Sequence, residues 1–97
     1  MEILHNDDGN KGVFYIEQNG ERLAEMTYKW NGNSILIDHT RVSDALSGKG
    51  IGKLLVNNGV EFARTHHITI IPICPFVEKI LKADSNYQDV LQPQLLD

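Results

Sequence analysis

Apolar positions recur with two different periods along this chain, every second residue in the first half and every third or fourth in the second. Val13 to Glu17 is rich in β-branched and aromatic residues, and the Asn19-Gly20 that follows is a strong hairpin signal favouring a type I′ turn. Beyond it, Ala24, Met26, Tyr28 and Trp30 alternate with Glu25, Thr27 and Lys29, the pattern of a strand with one buried face. Asn31-Gly32 supplies a second turn. The next strand is expected over Ser34 to Val42, with Ile35, Ile37 and His39 on one face and Leu36, Asp38, Thr40 and Val42 on the other. A short strand over Met1 to His5 is expected to precede these, all antiparallel.

From Ile51 to about His66, a turn of 100° per residue gathers Ile51, Leu54, Leu55 and Phe62 into one stripe, with Lys53, Asn57, Glu61 and Arg64 opposite. This predicts a helix packed on the sheet. Asn58 falls inside the stripe, where a buried hydrogen bond would have to satisfy it. Ile68 to Ile73 suits a covered strand, and the strand, helix, strand order beginning at Ser34 implies a right-handed crossover and a parallel pair. Pro75 suits the first turn of a second helix through Leu81 or Lys82, which makes Cys74 its N-cap. Ser85 with Gln88 fits a capping box opening a short turn that holds Tyr87, Val90 and Leu91, and the tail Gln92 to Asp97 is expected to fray. The fold class is therefore α+β, a mixed sheet with helices packed on it.

Between the two halves stands SGKGIGK, Ser47 to Lys53, with Gly48, Gly50 and Gly52 at every second position just before the helix. Glycine tolerates φ > 0 and close approach by a ligand, and a helix start offers unpaired N–H groups and positive potential, so an anion such as a pyrophosphate fits there. Two familiar phosphate loops fail on these residues. A Walker loop would need glycine where Ser47 stands and a hydroxyl where Leu54 stands, and the dinucleotide fingerprint finds Lys53 at its last glycine. An ordinary glycine-rich turn is the competing reading.

With 97 residues the chain has the size of one domain, 1–97, with no room for a separate lid, so any ligand would lie against the sheet itself. A net charge of −4 argues against general binding to nucleic acid or to an acidic membrane, although Arg41, Lys49, Lys53 and Arg64 lie near the glycine loop in sequence. MEILHNDDG does not read as a secretory leader, and one cysteine forms no internal disulfide. A cytoplasmic monomer is the expectation. Four histidines and Cys74 show no metal-ligand spacing beyond the adjacent His66 and His67, and no metal is expected.

The order of antiparallel strands, glycine loop, helix, parallel strand and helix resembles the GNAT superfamily of acetyl-CoA-dependent N-acetyltransferases. More narrowly, HTRV at His39 to Val42, GKGIGKLL at Gly48 to Leu55, PICPFVEKILK at Pro72 to Lys82 and YQDVL at Tyr87 to Leu91 resemble its small stand-alone branch. The resemblance covers nearly all the chain after the first strand. It implies an enzyme that takes acetyl-CoA and passes the acetyl group to an amine, small molecule or protein. The superfamily's loop pattern, Gln or Arg, two residues, Gly, one residue, Gly or Ala, maps onto Ser47, Gly50 and Gly52, with Ser47 departing at the first position. By this resemblance Ser47, Gly48, Lys49, Gly50, Ile51, Gly52 and Lys53 hold the pyrophosphate. The strand from Ile37 to Val42 would pair with the pantetheine arm and splay from Ile68 to Ile73, with the thioester between them.

Two residues are candidates for the chemistry. Cys74, at a helix N-terminus where N–H groups favour thiolate, would accept the acetyl group or line its site; a small packed hydrophobe is the bland alternative. His39 would deprotonate the incoming ammonium, against the plain reading of a strand histidine with a satisfied hydrogen bond. His66 and His67 read as charges at a helix C-terminus. Larger members of the superfamily often use a tyrosine to protonate the leaving thiolate; Phe76 lacks such a group and Tyr87 is merely available. Ser47 and Phe76 keep a second class open, a module that binds coenzyme A or an acyl-CoA without turnover.

Overall fold

The computed structural model describes residues 2–92. Five strands form one sheet in sequential order, β1 (Leu4–Asp7), β2 (Lys11–Gln18), β3 (Glu21–Asn31), β4 (Ser34–Val42) and β5 (Thr69–Pro72). The first four pair antiparallel and β5 runs parallel to β4. Helix α1 (Ile51–His66) makes the crossover between β4 and β5, and α2 (Pro75–Ala83) follows. Short 3₁₀ turns stand at Asp44–Leu46 and Ser85–Tyr87.

Turn chemistry sets the register. Asn19 and Gly20 take φ of 53° and 79°, the double left-handed geometry of a type I′ turn, and this fixes β2 against β3. Phe14, Ile16, Ala24, Met26, Tyr28, Ile35 and Ile37 then share one buried face. α1 packs on that face, its Gly59 so close that a Cβ there would stand 2.9 Å from Met26 Cε and 3.7 Å from Ile37 Cδ1. On the other face Val13, Tyr15, Glu25, Thr27, Leu36 and Ile71 are half-buried and Lys29 is exposed, so this side of the sheet is much less covered. α2 lies alongside α1, and the segment after it is tied down by the Tyr87 hydroxyl donating to Asn57 Oδ1 at 2.6 Å and by Arg64 forking onto Asp89.

Several expectations need correction. The first strand is Leu4–Asp7, displaced toward the second; Met1, like the tail beyond Gln92, lies outside the described residues. The buried stripe of α1 is Ile51, Leu55, Val56, Gly59, Val60 and Ala63; Leu54 is exposed, because the true stripe rotates toward the small Gly59 and Ala63 that let the helix approach the sheet. Asn58 is not a buried polar group, since its amide turns back to donate to Leu54 O at 2.9 Å on the exposed side. The last turn is capped by Asp84, whose carboxylate accepts from the Asn86 amide, and not by a Ser85–Gln88 box.

The most consequential correction concerns β4. Thr27 pairs with His39 but Tyr28 pairs with Ile37, so Asp38 has no counterpart and forms a β-bulge. Strict alternation ends there. Asp38 and His39 both turn to the outer face, and Thr40 and Val42, opposite Met26 and Ala24, move to the helix side. His39 therefore does not share a face with Ile35 and Ile37.

Candidate active site

β4 and β5 separate abruptly. Their ladder runs from Ser34 opposite Thr69 to Ile37 opposite Pro72, and there the amides of both Ile73 and Cys74 converge on Ile37 O at 2.9 Å. Two donors on one carbonyl mark the end of the ladder. Pro72 has no N–H to extend it, and Pro75, preset for a first helical turn, diverts the chain into α2. Residues Asp38 to Val42 of β4 thus continue with no β5 partner. The opening lies between Asp38–Val42 and the start of α2, one residue later on β4 than a splay beginning at Ile37. Thr40, Arg41, Val42 and Phe76 line a cavity there of about 260 Å³.

The glycine loop closes one end of this region. Ser43 caps the 3₁₀ turn through Ala45 N, and Ser47 Oγ donates to Asp44 O at 3.0 Å, so the Ser47 hydroxyl braces the loop from within. Gly48 and Gly50 take φ of 76° and 70°, which only glycine adopts without strain. Gly50 is the N-cap of α1 and has no side chain to satisfy the amides of the first turn. No acidic residue stands in that turn either, so its positive potential is uncompensated, and Lys49 and Lys53 are exposed beside it. Gly52 is helical and serves differently: the Phe76 ring lies over it.

Cys74 occupies the N-cap of α2 and is 8% exposed. Its Sγ lies 3.3 Å from Thr40 Oγ1, across the opening. Burial pushes the thiol up, but the Thr40 hydroxyl and the amides of Val77, Phe76 and Thr40 outweigh it and hold the thiol below its ordinary value. The sulfur does not cap α2 by a full hydrogen bond, so the helix acts through its N–H dipoles. Geometry that favours a thiolate is thus present, in a place that is also well packed.

His39 stands on the outer face, its Nε2 3.5 Å from Glu25 Oε2, with the His39 side chain 53% exposed. Asp38 beside it accepts from Thr27 Oγ1 at 2.6 Å. Cys74 and His39 therefore flank β4 from opposite faces. Tyr87 is buried and bonded to Asn57, fixed in the packing of α1. Arg64 is held by Asp89, Glu61 and the Asn86 carbonyl, and does not add to charge at the glycine loop. His66 sits in the last turn of α1 with Nδ1 3.0 Å from Phe62 O, and His67 is its left-handed C-cap.

Sequence reasoning missed Thr40, which alternation had placed on the wrong face. It also missed a polar network at the edge of the sheet, where the Tyr28 hydroxyl donates to Asp7 and lies 2.6 Å from His5 Nε2, and Trp30 Nε1 donates to Asp7 at 2.9 Å. Among the described residues no group of three or more His, Cys, Asp or Glu is placed to hold a metal ion, and no helix is long and apolar enough to cross a membrane.

The comparisons with known proteins agree with this architecture. Protein NATD1 of Bos taurus is 29% identical over 90 residues, covering 89% of this chain and 80% of its own. The solution structure of a GCN5-like protein from Staphylococcus aureus is 40% identical, with a TM-score of 0.71 over 97% of this chain and 90% of that one. A ribosomal-protein-alanine N-acetyltransferase from Brucella melitensis shares the fold at 15% identity, with a TM-score of 0.64 over 93% of this chain and 67% of that one. The profile of the GCN5-related N-acetyl-transferases matches residues 13–90, most of the chain, which therefore belongs to that family of acetyltransferases.

Proposed function

We propose that this acetyltransferase takes its acetyl group from acetyl-CoA and passes it to a primary amine at the opening beside Thr40 and Cys74. The observation that carries this is the free edge of β4 from Asp38 to Val42, which runs toward a helix start with uncapped amides and no carboxylate. Gly48 to Lys53 would hold the pyrophosphate, and the unpaired backbone through Val42 the pantetheine. Acetyl-CoA supplies a thioester, an acyl group whose bond to sulfur an amine can displace. Cys74 would line the acyl group from the helix side. His39, from the outer face, would take the proton of the incoming ammonium, so the acceptor approaches over the less covered side of the sheet. The cell's acceptor has that chemistry, an amine, whether on a metabolite or a peptide.

Thermal unfolding with and without coenzyme A tests the binding half of this reading. Stabilisation that weakens with added salt is expected, since Lys49, Lys53 and helix-end amides would meet phosphates under ionic screening. Incubation with acetyl-CoA and a panel of amines, read by mass, tests the transfer. An unchanged melting temperature in excess coenzyme A would exclude the reading, and binding without transfer would leave a non-catalytic coenzyme A module.

A further inference from the structure

We propose that Thr40 is a positioning residue for Cys74, its hydroxyl holding the sulfur in the mouth of the opening between β4 and α2. The bulge at Asp38 decides which face Thr40 takes. Without the extra residue Asp38, alternation would carry the Thr40 side chain to the outer face, away from α2. With it, Thr40 stands on the helix side opposite Met26, and Oγ1 lies 3.3 Å from Sγ of Cys74. This is the one side-chain hydrogen bond of Cys74 among the described residues.

Two features make the contact more than incidental packing. Thr40 lies on the stretch of β4 that has lost β5, and Cys74 is the residue at which the other chain turns away, so the pair spans the opening where the sheet has split. Thr40 also lines the cavity shared with Arg41, Val42 and Phe76. A β-branched side chain is stiff at χ1, so the hydroxyl is preset and the sulfur has a fixed partner. The hydroxyl donates when the sulfur is ionised and accepts from S–H when it is not, so it serves either form and favours the charged one. Charged and titratable groups on the surrounding elements are Asp38, His39 and Arg41 on β4, Glu78, Lys79 and Lys82 on α2 and Lys53, Glu61, Arg64 and His66 on α1, while β5 has none. Burial, the Thr40 hydroxyl and backbone amides set the thiol, and not these charges.

The contact matters for catalysis only through the reading above, which puts the acyl group beside Cys74, but its test does not need turnover. Cys74 is the single cysteine, so the ultraviolet absorbance of its thiolate can be followed against pH in the full chain, with Cys74→Ser as the blank. Thr40→Val keeps the branched shape and removes the hydroxyl. The thiolate fraction at neutral pH should fall by roughly tenfold, the scale of a hydrogen bond to a charged group, and Thr40→Ser should restore it to within about twofold. Thr40→Ala carries the same expectation if the valine variant does not fold. Superimposable titrations for parent and hydroxyl-free variants would overturn the proposal, as would a serine variant that behaves like valine. Absence of coenzyme A binding by the parent would instead count against the transferase reading and leave the Thr40–Cys74 relation standing.

Discussion

The ring of Phe76 covers Gly52 so closely that a Cβ at Gly52 would stand 2.6 Å from Phe76 Cζ. Through this contact the first turn of α1, beside the glycine loop, meets the start of α2, beside Cys74. The family pattern admits alanine at this position, but Phe76 opposes it here. Phe76 is 44% exposed, so its ring can swing aside, and alanine is itself the better helix former by about 1 kcal/mol. Gly52→Ala is therefore expected to leave the melting temperature nearly unchanged while moving a wall of the cavity at Thr40 to Val42, so that stabilisation by coenzyme A weakens. Adding Phe76→Leu should recover it, because residues in contact couple. Equal binding by Gly52→Ala and parent would show that Phe76 has no part in the site.

A second glycine is constrained from the core. A Cβ on Gly12 would run into the Tyr28 ring and hydroxyl, and Tyr28 is 1% exposed and held through its hydroxyl by Asp7. Gly12→Ala should cost about 1–3 kcal/mol, as overpacking does. Denaturant midpoints of the two proteins measure this, and Gly20→Ala is not a substitute control, since φ of 79° adds strain of its own.

Most of the sheet was legible because its turns are written in residues that only certain backbones accept. Asn19-Gly20 places β2 against β3, and both helices begin within a residue of where period and proline put them. The face of His39 was not legible. Asp38 has no local feature that marks a bulge, and the shift that it introduces is decided by pairing with Thr27 and Tyr28 far away in sequence. Because side chains alternate with period two, one extra residue reverses every assignment after it. The same reversal brought Thr40 to Cys74. Gly52 read as part of the loop and Gly12 carried no signal, and the reason for each, a ring lying over it, exists only in three dimensions.

Acid should weaken the fold in two steps. Burial lowers the pKa of His5 below its usual 6.5, Asp7 partly opposing, so the protonated ring is disfavoured in the folded chain. For Asp7, burial acts upward, but hydrogen bonds from Tyr28, the Gly9 amide and Trp30 prevail and hold it below 3.8. In both cases the unfolded chain binds the proton more readily. The stability from each is complete above its unfolded value and is lost as pH falls through the folded one. Melting temperature against pH should decline from about pH 6.5 and again below about pH 4. His5→Phe keeps the stack on Phe14, whose centroid is 4.0 Å from that of His5, and should erase the upper step alone. Persistence of that step in His5→Phe would assign it elsewhere.

For the proton that an ammonium acceptor must lose, His39 is the base expected on the outer face, oriented by Glu25 at 3.5 Å. His39→Ala should lower transfer by roughly 10²–10⁴-fold, the usual cost of losing a positioned base. Coenzyme A binding should be unchanged, since no part of the glycine loop is touched. Full activity across neutral pH in a folded variant would make its role structural and leave the proton to water.

Cys74 separates two routes for the acetyl group, and the geometry bears on both. A covalent route has the thiolate attack the acetyl carbonyl, the bond to coenzyme A sulfur break and a Cys74 thioester form, which the amine then cleaves to release the thiolate. The helix-end dipoles and the Thr40 hydroxyl favour the nucleophile this requires. The direct route has the amine displace coenzyme A in one passage, with Cys74 only lining the acyl site; its 8% exposure and tight packing suit that role. We expect direct transfer. Cys74→Ser nearly conserves volume but ionises far above neutral pH, so it should lower turnover only modestly and leave coenzyme A binding intact. Intact mass of the parent after rapid mixing with acetyl-CoA should show no thiol-labile acetyl adduct. A Cys74 thioester formed and consumed at the turnover rate, with near-complete loss of transfer in Cys74→Ser, would establish the covalent route instead.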